Sequence, residues 1–200
     1  MVLAGQFLER PALIPCGGLT LEGLFHRGRR APALLLCPPL GQGGMDATAL
    51  AELAWACSRA GHASLRFQHR GVGASGGSRD PACALEDAEA ALAHLAATVP
   101  GPLAVAGLGP GCETALALLR AHPEVRRGLL LAPARVPDAA GVEAELLALL
   151  TETGAPVSPA DVARALGPNG RAEAVAGSDA VFRSGLTALG RAAVAFLGGR

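Results

Sequence analysis

Short apolar runs alternate with segments whose apolar residues recur at helical spacing, almost from one end of the chain to the other. That alternation predicts strands interleaved with helices, and so a doubly wound α/β sheet. Two runs open the pattern, Ala12–Cys16 and Leu19–His26, and Gly17-Gly18 between them predicts an antiparallel hairpin. Ala31–Cys37 is nearly continuous in apolar residues, as a strand buried on both faces requires. After a Pro/Gly loop, Leu50, Leu53 and Cys57 mark one face of a helix over Met45–Arg59. Ala63–Gln68 predicts the next strand, and Pro81 opens an alanine-rich helix over Ala82–Thr98. Strands follow at Pro102–Ala106, Gly128–Ala132, Leu146–Thr151 and Arg171–Ala176, with helices at Cys112–Arg120, Pro159–Leu166 and Gly185–Leu197. No insertion is long enough for a separate lid, so residues 1–200 read as one domain.

Composition narrows the class. Half of the residues are hydrophobic and 17% are charged, which excludes a disordered chain and predicts an apolar surface suited to a homo- or hetero-oligomer. Formal net charge is zero and the arginines are scattered, so no nucleic-acid face is expected. The absence of lysine excludes Schiff-base chemistry. Five widely spaced cysteines, without a CxxC or Cys/His pair, predict free thiols and no metal site. Met1–Gln6 lacks the charged start and long apolar run of a signal peptide, and no stretch reaches membrane-span length. A cytoplasmic protein without a cofactor is the expectation.

The segment with the most chemical content is Gly107-Leu108-Gly109-Pro110-Gly111, between a predicted strand and a predicted helix. Strand, sharp glycine-framed turn and helix are the setting of a nucleophile elbow, whose central residue in a working site is serine. Here the centre is Gly109, which has no side chain, and Pro110 after it has no backbone N–H to donate to an oxyanion.

The element order resembles the α/β-hydrolase fold, and within it small cap-less bacterial proteins of the serine-aminopeptidase and dienelactone-hydrolase type. The resemblance runs from about residue 11 to the C-terminus and is carried by residues 36–44 (LCPPLGQGG), 65–75 (LRFQHRGVGAS), the 107–111 turn and residues 129–133 (LLLAP). It implies a mostly parallel central sheet with an N-terminal antiparallel hairpin, helices on both faces and no lid. It also implies where a triad would sit. The nucleophile falls on Gly109, the acid on Gly154 with Glu152 as the nearest carboxylate, and the histidine on Ala180 within Gly177–Phe182. No histidine follows His122, so the order Ser…Asp…His is not met. The first oxyanion donor falls in the loop holding Pro38 and Pro39.

Other candidates compete with these positions. Gly73-Ala74-Ser75-Gly76-Gly77 matches G-x-S-x-G literally, but it lacks a strand immediately before and a helix immediately after, so Ser75 reads as a turn residue. Cys112 reads as a core cysteine. A Cys37–His69 dyad is the sharper alternative to Cys37 as a packed wall residue. Arg70 reads as a structural ion pair, or else as a holder of an anionic ligand. Leu40, Gln42, Leu108 and Asp179 complete the expected pocket lining with Cys37, Pro38, Pro39, His69, Arg70, Ser75, Gly109 and Pro110. Gly41-Gln42-Gly43-Gly44 is a weak candidate for an anion-binding loop. His26, His62, His94 and His122 are expected to face solvent, and Glu86, Asp87 and Glu89 to form a solvated helix face.

The joint loss at Gly109, Pro110, Gly154 and Ala180 predicts a pseudo-hydrolase. It would bind a small apolar or carbonyl-containing ligand, or act as an accessory subunit, with no catalytic residue. The alternative is an atypical enzyme using the same pocket: a lyase, isomerase, cyclase, or weak esterase or thioesterase working through Gln42, His69, Arg70 and Asp179.

Overall fold

The computed structural model describes residues 9–41 and 43–199. Eight strands form a single sheet in the order β1-β2-β4-β3-β5-β6-β7-β8. The hairpin comes first: β1 (Arg10–Cys16) and β2 (Leu19–His26) pair antiparallel, and β2 then pairs antiparallel with β4 (His62–Phe67). From β4 onward every neighbour is parallel, through β3 (Arg30–Cys37), β5 (Leu103–Leu108), β6 (Arg127–Leu131), β7 (Glu145–Thr151) and β8 (Gly170–Val175).

Strand periodicity divides the core in two. Along β3, Ala33, Leu35 and Cys37 face one layer, while Leu34 and Leu36 face the other. The first layer is covered by α2 (Ala84–Thr98), α3 (Gly111–Ala121) and α4 (Pro159–Leu166). Helices α1 (Thr48–Arg59) and α5 (Leu186–Leu197) cover the second. Both faces are thereby sheltered, which explains the continuous apolar runs of the central strands. No helix among the described residues is long and apolar enough to cross a membrane.

Two helices start later than their sequence pattern predicts. Residues 44–46 form a 3-10 turn instead of the first turn of α1, because Gly43 and Gly44 take positive φ (82° and 46°). The Gln68 side chain fixes that turn by accepting the Met45 N–H at 3.1 Å. Before α2, Asp80 accepts the Ala82 N–H and holds a 3-10 turn at Pro81–Cys83. Strand β5 runs two residues beyond its predicted end, carrying Gly107 and Leu108 to the C-terminal edge of the sheet.

Candidate functional site

The turn after β5 is built by close approach. A Cβ on Gly107 would lie 2.3 Å from the Gly111 carbonyl oxygen, and one on Gly111 would lie 2.6 Å from that of Cys37 and 2.7 Å from that of Pro38. Only glycine permits strand, helix and the 38–40 loop to meet this tightly. Gly109 differs: its φ is +55° and a Cβ there would meet nothing within 4 Å. Its N–H donates to the Leu131 carbonyl at 2.8 Å, anchoring the turn to β6. Pro110 caps α3 without an N–H to offer.

Gly109 borders a cleft of about 240 Å3 between the first turns of α3 and the 133–138 loop. Leu116, Pro133 and Val136 supply apolar wall, and the Arg135–Glu113 ion pair lies at its rim. Arg120 ties the far side of that loop down by donating to the Asp138 and Ala140 carbonyls. None of Glu113, Arg135 and Val136 is singled out by a sequence motif. Their signal is position: Glu113 lies in the first turn of α3, and Arg135 and Val136 in the loop that leaves β6 at the ligand-binding end of the sheet.

The chain as a whole is similar to several solved structures. An α/β serine hydrolase homologue from Coxiella burnetii matches with a TM-score of 0.79 at 21% identity, over 98% of this chain and 99% of that one. The chain has the α/β-hydrolase fold. A lid-less α/β serine hydrolase from Xanthomonas campestris matches with a TM-score of 0.72 at 21% identity, over 96% and 94% of the two chains. Est1E from Butyrivibrio proteoclasticus, solved with ferulic acid, matches at 0.75 and 14%, over 94% and 98%. No family model matches the chain, and no curated protein does.

In the α/β-hydrolase fold of this chain, the loops after β7 and β8 come together. A Cβ on Gly154 would lie 2.7 Å from the Ala180 Cβ. Ser178 joins the two loops: its hydroxyl accepts the Glu152 N–H and donates to the Val175 carbonyl, and its carbonyl accepts from Thr153. Glu152 is exposed and accepts the Gly177 N–H at 2.8 Å. Asp179 accepts the Arg183 N–H at 2.6 Å and pairs with its guanidinium, which holds the Asp179 carboxyl below the usual range. It serves its own turn instead of lining the cleft beside Gly109.

Several other candidates are occupied by structural roles. Ser75 is buried; its hydroxyl donates to the Gln68 carbonyl and accepts the Glu22 N–H, both at 2.9 Å. Cys37 is fully buried, and burial together with the neighbouring Cys112 pushes its thiol far up, so a thiolate does not form there at neutral pH. Cys112 donates to the Gly107 and Leu131 carbonyls and belongs to the core. All five cysteines are free. Pro38 is buried, with its carbonyl against the elbow; Pro39, Leu40 and Leu108 are half-buried, and the Leu40 carbonyl accepts from Arg79. Gln42 lies outside the described residues. Among the described residues no group of three or more His, Cys, Asp or Glu side chains is arranged to hold a metal.

His69 and Arg70 meet on the carboxylate of Asp87. Arg70 is bound to Asp87 at 2.7 Å and to Glu86 at 2.8 Å, and His69 Nδ1 lies 3.3 Å from Asp87. Asp87 is fully buried, not part of a solvated face, and it also accepts the Arg70 N–H and the Cys16 thiol. The Cys37–His69 dyad does not form, because the His69 Nδ1 is given to Asp87 and its Nε2 has no hydrogen-bond partner.

His26 and His62 are likewise buried, against expectation. Strand β4 is covered on both faces, so even its first residue is enclosed. Nδ1 of His62 donates to the Pro32 carbonyl at 2.8 Å, while its Nε2 is buried without a partner. Burial lowers the pKa of both His62 and His69, with Pro32 and Asp87 respectively opposing the shift. A histidine near 6.5 when unfolded then takes a proton more readily in the unfolded chain, so stability is full above that value and falls as the pH drops below it. Denaturant midpoints should therefore decline from about pH 7.5 to about pH 5.5, by about 1–3 kcal/mol in all. A flat profile would show that these rings are not held neutral.

Proposed function

We propose that the protein is a catalytically degenerate member of the α/β-hydrolase fold, which binds a small apolar or carbonyl-containing ligand in the cleft beside Gly109 and does not hydrolyse it. The observation that carries this reading is the elbow itself. It keeps the left-handed backbone and the flanking close approaches, yet it offers neither a nucleophilic oxygen nor the following N–H. Support comes also from the loops after β7 and β8, where Gly154 and Ala180 abut at the positions the resemblance gives to acid and base. No imidazole occurs in the chain after His122 to act as base there.

Ester turnover is the test. Pure protein should hydrolyse p-nitrophenyl acyl esters at the buffer rate, and Gly109→Ser should stay there even though the turn has room for the side chain. Loss of a single oxyanion donor alone lowers rates by roughly 10²–10³, and the added serine would have no base. Robust turnover by Gly109→Ser, or by the unaltered protein with loss in Ser75→Ala, would overturn the reading.

A further inference from the structure

At the opposite end of the sheet from Gly109 lies a groove of about 1070 Å3. The parallel register sets its position: Ala33 at the start of β3 faces Leu103, and Cys37 at its end faces Gly107. The groove runs between the open end of the β1–β2 hairpin and the C-terminal end of α2. Arg10, Arg27 and Arg29 line it and are exposed. Among the described residues none of them has a carboxylate within ion-pair distance. Residues 1–8, Gln42 and Arg200, which lie outside the described residues, carry no acidic side chain. Arg30 also lines the groove, with its guanidinium turned against Gly198.

The backbone presenting these charges is held fast. The N–H groups of Arg29 and Arg30 both donate to the Gly61 carbonyl at 2.9 Å, and a Cβ on Gly28 would lie 2.1 Å from the Ala63 nitrogen. Helices α1 and α2 both end here, and their C-terminal dipoles offset about one of the three positive charges. Among the described residues no carboxylate neutralises the remainder. Apolar surface is interleaved with it: Phe25, Val99 and Pro100 line the groove, and Leu13 is 73% exposed at its rim. The buried Ser58 hydroxyl, also part of the lining, has no hydrogen-bond partner.

We propose that this groove docks an acidic, partly apolar polypeptide segment of a partner protein. Its carboxylates would take the forked donors of Arg10, Arg27 and Arg29, and an apolar side chain would cover Leu13 and Phe25. A bilayer is flat where this surface is concave. A nucleic acid would need a longer basic face than these few arginines provide in a chain of zero net charge. Strand addition along β1 is poorly served, because Pro11 and Pro15 lack N–H groups. Recognition therefore falls to side chains. The proposal stands independently of the reading of the Gly109 cleft.

The experiment is fluorescence anisotropy with a labelled peptide of about a dozen residues alternating Glu and Leu. The full chain should bind it, less tightly as salt rises from about 50 mM to about 300 mM. Arg27→Glu/Arg29→Glu should weaken binding at least about tenfold, and Leu13→Ser a few-fold, with unchanged thermal midpoints because these side chains are exposed. Equal binding by the charge-reversed variant overturns the proposal, as does no binding at all. Binding of tripolyphosphate or of phosphatidylserine vesicles in place of the peptide overturns it in favour of a phosphate ligand. A dimer in sedimentation that Arg27→Glu/Arg29→Glu dissociates overturns it in favour of a second copy of this chain.

Discussion

Asp87→Ala is expected to lower unfolding stability by about 3–5 kcal/mol, read from denaturant midpoints at neutral pH. Asp87 has no exposed surface and receives four donors: the Cys16 thiol, His69 Nδ1, the Arg70 N–H and the Arg70 guanidinium. Truncation removes the acceptor from all four, and a buried donor such as His69 Nδ1 left without one carries its whole desolvation penalty. Glu86 remains beside Arg70, but it is half-exposed and too well solvated to replace the buried partner. Removing both ends of the pair should be milder than removing one. Arg70→Met/Asp87→Leu should recover about 1 kcal/mol or more relative to Asp87→Ala. A loss below about 1 kcal/mol for Asp87→Ala would show that the network is incidental to stability.

That cluster marks where the sequence misleads. An acidic residue in the first turn of a helix suits the dipole whether or not it faces water. Spacing held the better signal: Asp87 lies three residues after Ala84 and four before Ala91, on the stripe with Ala88, Leu92 and Leu95, all of them buried. The central strands are legible because both faces of the sheet are covered there, so their apolar runs are unbroken. Histidines gave no comparable cue. His62 opens β4 at its buried end, and nothing in its local sequence distinguishes that from an exposed strand start.

The site was legible unevenly for a related reason. Glycine positions in the 107–111 turn announce a close approach, because the physical demand acts on those residues alone. The cleft beside Gly109 depends on a loop from the neighbouring strand. Its residues, among them Glu113, Arg135 and Val136, meet only through tertiary packing. The side chains of residues 69, 70, 75 and 179 likewise find their partners through the fold. Local sequence does not name the partner of any of them, because Asp87, the Gln68 carbonyl and Arg183 meet them only in the folded loops.

Alanine scanning of the elbow glycines should separate packing from chemistry. Gly107→Ala sets a methyl 2.3 Å from the Gly111 carbonyl oxygen and 2.6 Å from the Cys112 Cα, and Gly111→Ala sets one 2.6 Å from the Cys37 carbonyl oxygen. The obstructing atoms are backbone at the junction of β5, α3 and the 38–40 loop, so relief requires moving the elements themselves. Each variant should lose about 3 kcal/mol or more, at the upper end of overpacking costs. Gly109→Ala meets nothing within 4 Å and bears only the left-handed backbone penalty, about 1–2 kcal/mol. Thermal midpoints should therefore rank Gly109→Ala well above the other two. Glycines at 107 and 111 are required by packing whatever the turn does chemically, so their presence says nothing about catalysis. Position 109 alone is free to carry a side chain. If Gly109→Ala proved as damaging as its neighbours, the space beside it would be closed, and the reading of an emptied nucleophile position would fall with it.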